Sequence, residues 1–77
     1  MSKLIAIKVE YNGKIYMSEF TELTPEEEGE MIRLVKAGAS GELSHLTFSR
    51  TKRRRKSKMY FPEKILKESI ISLEYKF

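Results

Sequence analysis

The chain has 77 residues, no cysteine, and 15 Lys and Arg against 11 Asp and Glu, which gives a formal net charge of +4 at pH 7. This length allows one domain with a small core, and the lack of cysteine excludes disulfide bonds and thiolate metal sites. No stretch approaches the ~18 apolar residues of a membrane-spanning helix, and the amino-terminal apolar run, broken by Lys8, is too short for a secretory signal. We therefore expect a single domain over residues 1–77 that is soluble and cytoplasmic.

Two alternating segments on either side of Asn12-Gly13 predict a β-hairpin. Ile5, Ile7, Val9 and Tyr11 alternate with Ala6, Lys8 and Glu10, and residues 14–20 form a second strand-like run after the turn. Asn-Gly is typical of a two-residue type I′ turn, because both residues tolerate the positive φ that this turn requires. The register imposed by such a turn pairs Val9 with Tyr16, Ile7 with Ser18 and Ile5 with Phe20. Most of the apolar side chains then share one face of the hairpin.

The next segment predicts a helix over about 25–37. Thr24 can cap it, Pro25 suits its first position, and Glu27 completes a capping box with Thr24. Three consecutive glutamates at its start also compensate the positive end of the helix dipole. Apolar residues recur at helical spacing in its second half, and Gly38 is expected to end it.

The remainder of the chain predicts a second hairpin, a short helical turn and a final strand. Residues 46–49 and 59–61 have the composition of strands, residues 63–68 form the helical turn after a proline, and residues 71–77 alternate again. The resulting ββαββ order, with a short helical turn before the last strand, indicates an α+β fold. We expect an antiparallel sheet of about four to five strands with one helix packed on one face.

Residues 50–58, which we call the basic segment, concentrate the positive charge of the chain. Seven of its nine residues are cationic and none is acidic, so the rest of the chain carries 8 basic against 11 acidic residues. We expect the basic segment to form the tip of the second hairpin, too long and too self-repelling for a tight turn, and to be mobile. Its cations are the candidate nucleic-acid-binding residues: Arg50, Lys52, Arg53, Arg54, Arg55, Lys56 and Lys58.

Three other pieces of the chain resemble small proteins encoded by phages and prophages, many of them without an assigned function. The pieces are Val9-Glu10-Tyr11-Asn12-Gly13-Lys14, Thr24-Pro25-Glu26-Glu27-Glu28, and Tyr60-Phe61-Pro62-Glu63-Lys64-Ile65-Leu66-Lys67-Glu68-Ser69-Ile70-Ile71. They share a layout of hairpin, helix, strand, Phe-Pro turn and strand. This resemblance implies a phage-infected or bacterial cytoplasm and carries over no site residue, because the basic segment is not part of the shared layout.

Three interpretations of the basic segment remain open. Arginine forks and lysine charges can neutralise phosphates, which favours non-specific binding of nucleic acid by a hairpin arm. The same cations could dock on an acidic protein surface, as a phage-type regulator or inhibitor of a host protein would require. The basic segment could also be only a solvated loop, screened by the glutamates of the predicted helix. Because the charge is gathered in one segment, we favour nucleic acid as the partner.

Catalytic or metal-binding chemistry has little support. His45 is the only histidine, lies near the apolar Leu43 and Leu46, and is interpreted as a strand residue. Glu26, Glu27 and Glu28 cannot converge on one metal ion, because successive helical residues point about 100° apart. We therefore expect a non-enzymatic protein without a metal or cofactor.

The eight tyrosines and phenylalanines are expected to build most of the core, because a chain this short has few other large side chains. This includes Phe48, Tyr60 and Phe61 at the base of the basic segment. The alternative is an exposed aromatic sheet face of the kind that binds RNA. Any sheet face left uncovered by the helix, or a free edge strand, would be a candidate homodimer interface.

Overall fold

The computed structural model describes residues 3–77, except for the side chain of Lys52. Its elements confirm an α+β fold with one main helix. In chain order they are β1 (Leu4–Tyr11), β2 (Lys14–Met17), β3 (Thr21–Glu22), α1 (Pro25–Ala39), β4 (His45–Lys52), β5 (Arg55–Pro62), α2 (Glu63–Leu66) and β6 (Ile70–Lys76). Neither helix of this part of the chain is long and apolar enough to cross a membrane.

The strands form two antiparallel sheets, where the sequence predicts one. β1 is the centre of the first sheet: β2 and β3 pair with opposite ends of it along one edge, and β6 pairs along the other edge. β4 and β5 pair with each other and form a separate two-stranded sheet. The apolar face of the second hairpin is buried in the same core as the first sheet, and the Glu19 backbone N–H, between β2 and β3, donates to the Ser49 carbonyl oxygen of β4 at 3.3 Å.

The first hairpin forms around the predicted turn. Asn12 and Gly13 have φ values of 52° and 77°, the positive range that a type I′ turn requires. Val9 pairs with Tyr16, which confirms the predicted register next to the turn.

Further from the turn, the predicted register is wrong by one residue. The Ser18 backbone N–H donates to the Ile7 carbonyl oxygen at 2.9 Å, but Ile5 pairs with Thr21 where Phe20 was predicted. One additional residue therefore lies on the partner strand between β2 and β3, as in a β-bulge. The Ser18 hydroxyl accepts a hydrogen bond from the Ile7 backbone N–H at 2.9 Å and so satisfies β1 at this irregular point.

Helix α1 begins as predicted. The Thr24 hydroxyl accepts a hydrogen bond from the Glu27 backbone N–H at 3.2 Å, and the Glu27 carboxylate accepts one from the Thr24 N–H at 2.9 Å. This reciprocal pair is the predicted capping box. Its hydrogen bonds hold the pKa of the Glu27 carboxyl below the ordinary value, chiefly through the Thr24 backbone.

The prediction that Gly38 ends the helix is wrong, since α1 continues through it to Ala39. Gly41, with φ 74°, is the residue that terminates the helix. The Glu42 N–H donates to the Ala37 carbonyl oxygen at 2.9 Å and the Gly41 N–H donates to that of Gly38 at 3.2 Å, which is a Schellman motif.

Gly38 has a packing role instead of a terminating one. A Cβ atom at this position would lie 2.5 Å from Cδ1 of Ile71 on β6. The missing side chain therefore allows α1 to approach the first sheet closely.

The core lies between the first sheet and the base of the second hairpin. Its buried side chains come from β1, β4, β5 and α2: Ile7, Val9, Leu46, Phe48, Phe61 and Leu66. The Phe61 ring is central, with its centroid 5.4 Å from that of Phe48 and 5.5 Å from that of Tyr16. Helix α1 has no fully buried residue and contributes the half-buried Met31 and Leu34. It therefore covers one side of a core built mainly by strands.

A polar contact also holds α1 on the first sheet. The Glu28 carboxylate accepts a hydrogen bond from Lys3 Nζ at 2.9 Å and another from the Tyr75 hydroxyl at 2.9 Å. These bonds keep the pKa of Glu28 below its ordinary value, with the Lys3 bond the larger cause. Glu28 thus has a structural partner in addition to the dipole compensation predicted for it.

Candidate nucleic-acid interface

The basic segment occupies the distal half of the β4–β5 hairpin. Residues 50–52 end β4, residues 55–58 begin β5, and Arg53-Arg54 connect them. The prediction that the basic segment is too long for a tight turn is wrong. Arg53 and Arg54 have φ values of 52° and 67°, so they form a two-residue turn of the same kind as Asn12-Gly13. Backbone pairing of β4 with β5 continues up to the turn, because the main-chain hydrogen bonds do not involve the charged groups of the side chains.

The pairing register divides the cations between the two faces of the hairpin, because alternate strand residues point to opposite sides. Arg50 lies opposite Ser57, and Lys52 lies opposite Arg55. These pairs continue the face that carries Phe48, and we call it the core-side face. The side chain of Lys52 lies outside the part of the chain that is described, so only its strand position is assigned.

An open groove of about 580 Å³ follows the core-side face and is lined by Arg50, Arg53, Arg55 and Ser57. Nε of Arg50 is shielded from solvent and has no hydrogen-bond partner among the residues described. Shielded polar groups are stabilised when they gain an acceptor. Three guanidinium groups along one groove provide the fork-shaped donors that bind phosphate oxygens in pairs.

The cations of the hairpin have no carboxylate partner among the side chains described. The ion pairs among these described side chains involve Lys3, Lys8 and Lys67. Glu19 contacts the hairpin, but its carboxylate accepts a hydrogen bond from the hydroxyl of Thr51. One interpretation of the sequence was that the helix glutamates screen the basic segment. The described side chains show no ion pair between these glutamates and the cations of the hairpin.

The opposite, outer face of the hairpin is exposed at every position except the half-buried Pro62 at its base. Lys56, Lys58 and Tyr60 follow one another along β5 on this face, and their cross-strand neighbours carry hydroxyl groups. Those neighbours are, in the same order, Thr51, Ser49 and Thr47. Tyr60 is 62% exposed, and its ring stacks on that of His45 with centroids 6.1 Å apart and planes 24° apart. The outer face therefore combines cations, hydroxyl groups and an accessible aromatic pair.

His45 and Tyr60 were missed as candidate site residues in the sequence. Phe48 and Phe61 are buried as predicted, but the prediction that Tyr60 enters the core is wrong. The alternation of side chains along a strand could have shown this. Tyr60 lies on the same face of β5 as Lys56 and Lys58, whereas Phe61 lies on the opposite face. This alternation could not be applied to the sequence, because the predicted strand did not extend into the basic segment.

Within residues 3–77, no group of three His, Asp or Glu side chains is placed to hold a metal ion. His45 is instead engaged by Tyr60 and by Ser44, whose hydroxyl oxygen lies 3.2 Å from its Nδ1. Comparison of the chain with models of protein families, with curated proteins and with solved structures finds no match.

Proposed function

We propose that the protein is a non-enzymatic module that binds nucleic acid through the basic segment of the β4–β5 hairpin. The observation that carries this proposal is a run of seven cations in nine residues on an exposed hairpin. Among the side chains described, none of these cations is neutralised by a carboxylate of the same molecule.

Charge segregation supports this function physically. Each phosphate that a Lys or Arg neutralises releases condensed counterions. The entropy of these released ions favours binding and makes the affinity fall as the salt concentration rises. The remainder of the chain, with 8 basic and 11 acidic residues, repels the same polymer. The molecule is therefore oriented with the hairpin towards the nucleic acid.

The dimensions of the hairpin also suit a nucleic-acid groove. About four residues of each strand lie beyond the core, and at roughly 3.3 Å per residue they extend about 13 Å. A two-stranded ribbon can enter the major groove of B-DNA, which is about 12 Å wide. Cations on both faces of the ribbon would then contact the phosphates of both groove walls.

Salt-dependent binding tests this proposal. The anisotropy of a fluorescein-labelled, mixed-sequence duplex is titrated with protein over a range of salt concentrations. The variant carries Arg53→Ala, Arg54→Ala and Arg55→Ala. The matched control changes net charge equally through three exposed lysines outside the hairpin: Lys14→Ala, Lys36→Ala and Lys64→Ala.

Binding of the unmodified protein should weaken steeply with salt. In a plot of log K against log salt, the triple arginine variant should lose about 2.7 of the slope, since each phosphate contact contributes about 0.9. The lysine control should keep the original slope. Salt-independent binding, or equal slopes for the two variants, would refute the proposal and leave an acidic protein surface as the interpretation of the basic segment.

A further inference from the structure

We propose that the outer face of the β4–β5 hairpin selects single-stranded over duplex nucleic acid, by stacking unpaired bases on the Tyr60–His45 ring pair. This inference rests on the proposed function, because it takes the polyanion to be a nucleic acid. It adds a contact that phosphate binding by itself does not need.

The exposure of Tyr60 is the first observation. Its strand neighbour Phe61 is 4% exposed and packs in the core, whereas the Tyr60 ring is 62% exposed. The Tyr60 ring stacks on that of His45, which is also exposed. Each ring therefore contacts the other on one face, and the remaining aromatic surface of the pair is open to solvent. An aromatic ring held in place in this way is a rigid surface for a planar base.

The placement of the lysines is the second observation. Lys58 and Lys56 continue from Tyr60 along the same face of β5, each alternate position roughly 7 Å from the last. A strand of nucleic acid that places a base on Tyr60 therefore has cations along the path of its backbone. The hydroxyl groups of Ser49 and Thr47 on the neighbouring strand can donate hydrogen bonds to phosphate or sugar oxygens along this path, whereas that of Thr51 already donates to the Glu19 carboxylate.

Single strands are selected because their base faces are accessible. In a duplex, each base is stacked between its neighbours, and only its edges and the phosphates are exposed in the grooves. The basic segment can bind both forms through phosphates, but only an unpaired base can stack on Tyr60. Single-strand affinity should therefore contain a contribution that duplex affinity lacks.

Substitution of Tyr60 separates the two contributions. Anisotropy is measured with a fluorescein-labelled thymidine oligonucleotide, a uridine oligonucleotide of equal length and a duplex, at one salt concentration. Tyr60→Leu removes the aromatic surface. Phe77→Leu is the matched control, because the Phe77 ring is 84% exposed and directly follows β6, which belongs to the first sheet and not to the β4–β5 hairpin. Tyr60→Trp keeps an aromatic surface and introduces the only tryptophan of the chain.

Tyr60→Leu should weaken binding to the single strands by about 5- to 150-fold, the range for loss of one stacked base, while duplex binding changes less than about 2-fold. Phe77→Leu should bind like the unmodified protein. Tyr60→Trp should retain single-strand affinity, and its fluorescence should be quenched by the single strands but not by the duplex. Binding of either the thymidine or the uridine oligonucleotide in this pattern supports the inference.

Equal single-strand affinity for Tyr60→Leu and the unmodified protein would overturn the inference. The proposed function would survive that result as long as binding stayed salt-dependent, whereas salt-independent binding of the unmodified protein would remove both. Circular dichroism shows whether Tyr60→Leu is folded. If it is not, an unquenched Tyr60→Trp on addition of single strand overturns the inference independently.

Discussion

At the tip of the hairpin, two arginines occupy a turn whose backbone conformation is unfavourable for them. We therefore expect that replacing them would stabilise the fold and weaken nucleic-acid binding. Arg53 and Arg54 have φ values of 52° and 67°, close to the 52° and 77° of Asn12 and Gly13 in the first hairpin. Left-handed backbone costs about 1–2 kcal/mol for a typical L-residue, whereas Gly adopts it freely and Asn more readily than most. The double substitution Arg53→Asn, Arg54→Gly gives this turn the dipeptide that the chain already uses in an equivalent one.

The expected gain follows from these costs. Glycine relieves about 1–2 kcal/mol at position 54, offset by the roughly 0.5–1 kcal/mol of extra chain entropy that glycine loses on folding. With a smaller contribution from Asn at position 53, the net stabilisation is about 1 kcal/mol. For a domain of this size, that raises the melting temperature by roughly 4–8 °C. Loss of two charges beside Arg55 and Lys56 acts in the same direction at low salt and is screened at high salt.

Thermal unfolding followed by circular dichroism, at low and at high salt, measures the effect. The control is Arg53→Lys, Arg54→Lys, which keeps both the charge and the unfavourable backbone, and should melt with the unmodified protein. The Asn-Gly variant should melt higher at both salt concentrations. An increase that disappears at high salt would show that charge repulsion, and not backbone strain, limits the stability of this turn.

The same variant connects the turn to the proposed function. Two phosphate contacts are removed with Arg53 and Arg54, so the slope of log K against log salt for a duplex should decrease by about 1.8. A more stable protein that binds nucleic acid less well is the expected outcome. Unchanged affinity would mean that the turn residues do not contact the polymer.

Three further substitutions test the fold. Thr24→Ala removes the helix cap and should lower the free energy of unfolding by about 1 kcal/mol in urea denaturation; no change would mean that the cap does not contribute. Glu28 has a lowered pKa through Lys3 and Tyr75, so its contribution is present above its ordinary pKa of 4.5 and is lost as the pH falls through the lower folded value. Glu28→Gln should therefore show less acid-induced loss of melting temperature below pH 4.5 than the unmodified protein, and equal acid profiles would contradict this. Phe61→Ala removes a ring that is 4% exposed and should lower the free energy of unfolding by about 3–5 kcal/mol. Circular dichroism should then show that most of the variant is unfolded, and a cooperative melt like that of the unmodified protein would argue against a central role for Phe61.

Features determined within a few residues were predictable from the sequence. The Asn12-Gly13 turn and the Thr24 capping box form as predicted, since each depends on backbone conformation and hydrogen bonds inside a four-residue window. The end of α1 was not predictable in the same way. Gly38 was predicted to end the helix because glycine is common there, but Gly38 packs close to Ile71, which is distant in sequence, and the positive φ that ends the helix is at Gly41.

Features that depend on distant strands were not predictable. The change of partner from Phe20 to Thr21 opposite Ile5 requires a bulge that no local residue pattern marks. The division into two sheets likewise depends on whether the second hairpin joins the first by edge hydrogen bonds or by packing of Phe48 and Phe61. Both choices are made by long-range contacts, whose free energies do not appear in short segments of sequence.

For the candidate site, the sequence by itself determined that seven cations lie together on a mildly acidic chain, because charge and its spacing along the polymer are properties of composition. Only the tertiary structure decided how that charge is presented. Pairing of β4 with β5 through the basic segment distributes the cations over two faces, places three arginines along one groove, and leaves Tyr60 exposed on the other face. The physical reason is that the side on which a strand residue lies depends on where the turn begins, and the Arg53-Arg54 turn forms in an unfavourable backbone region that the rest of the hairpin stabilises.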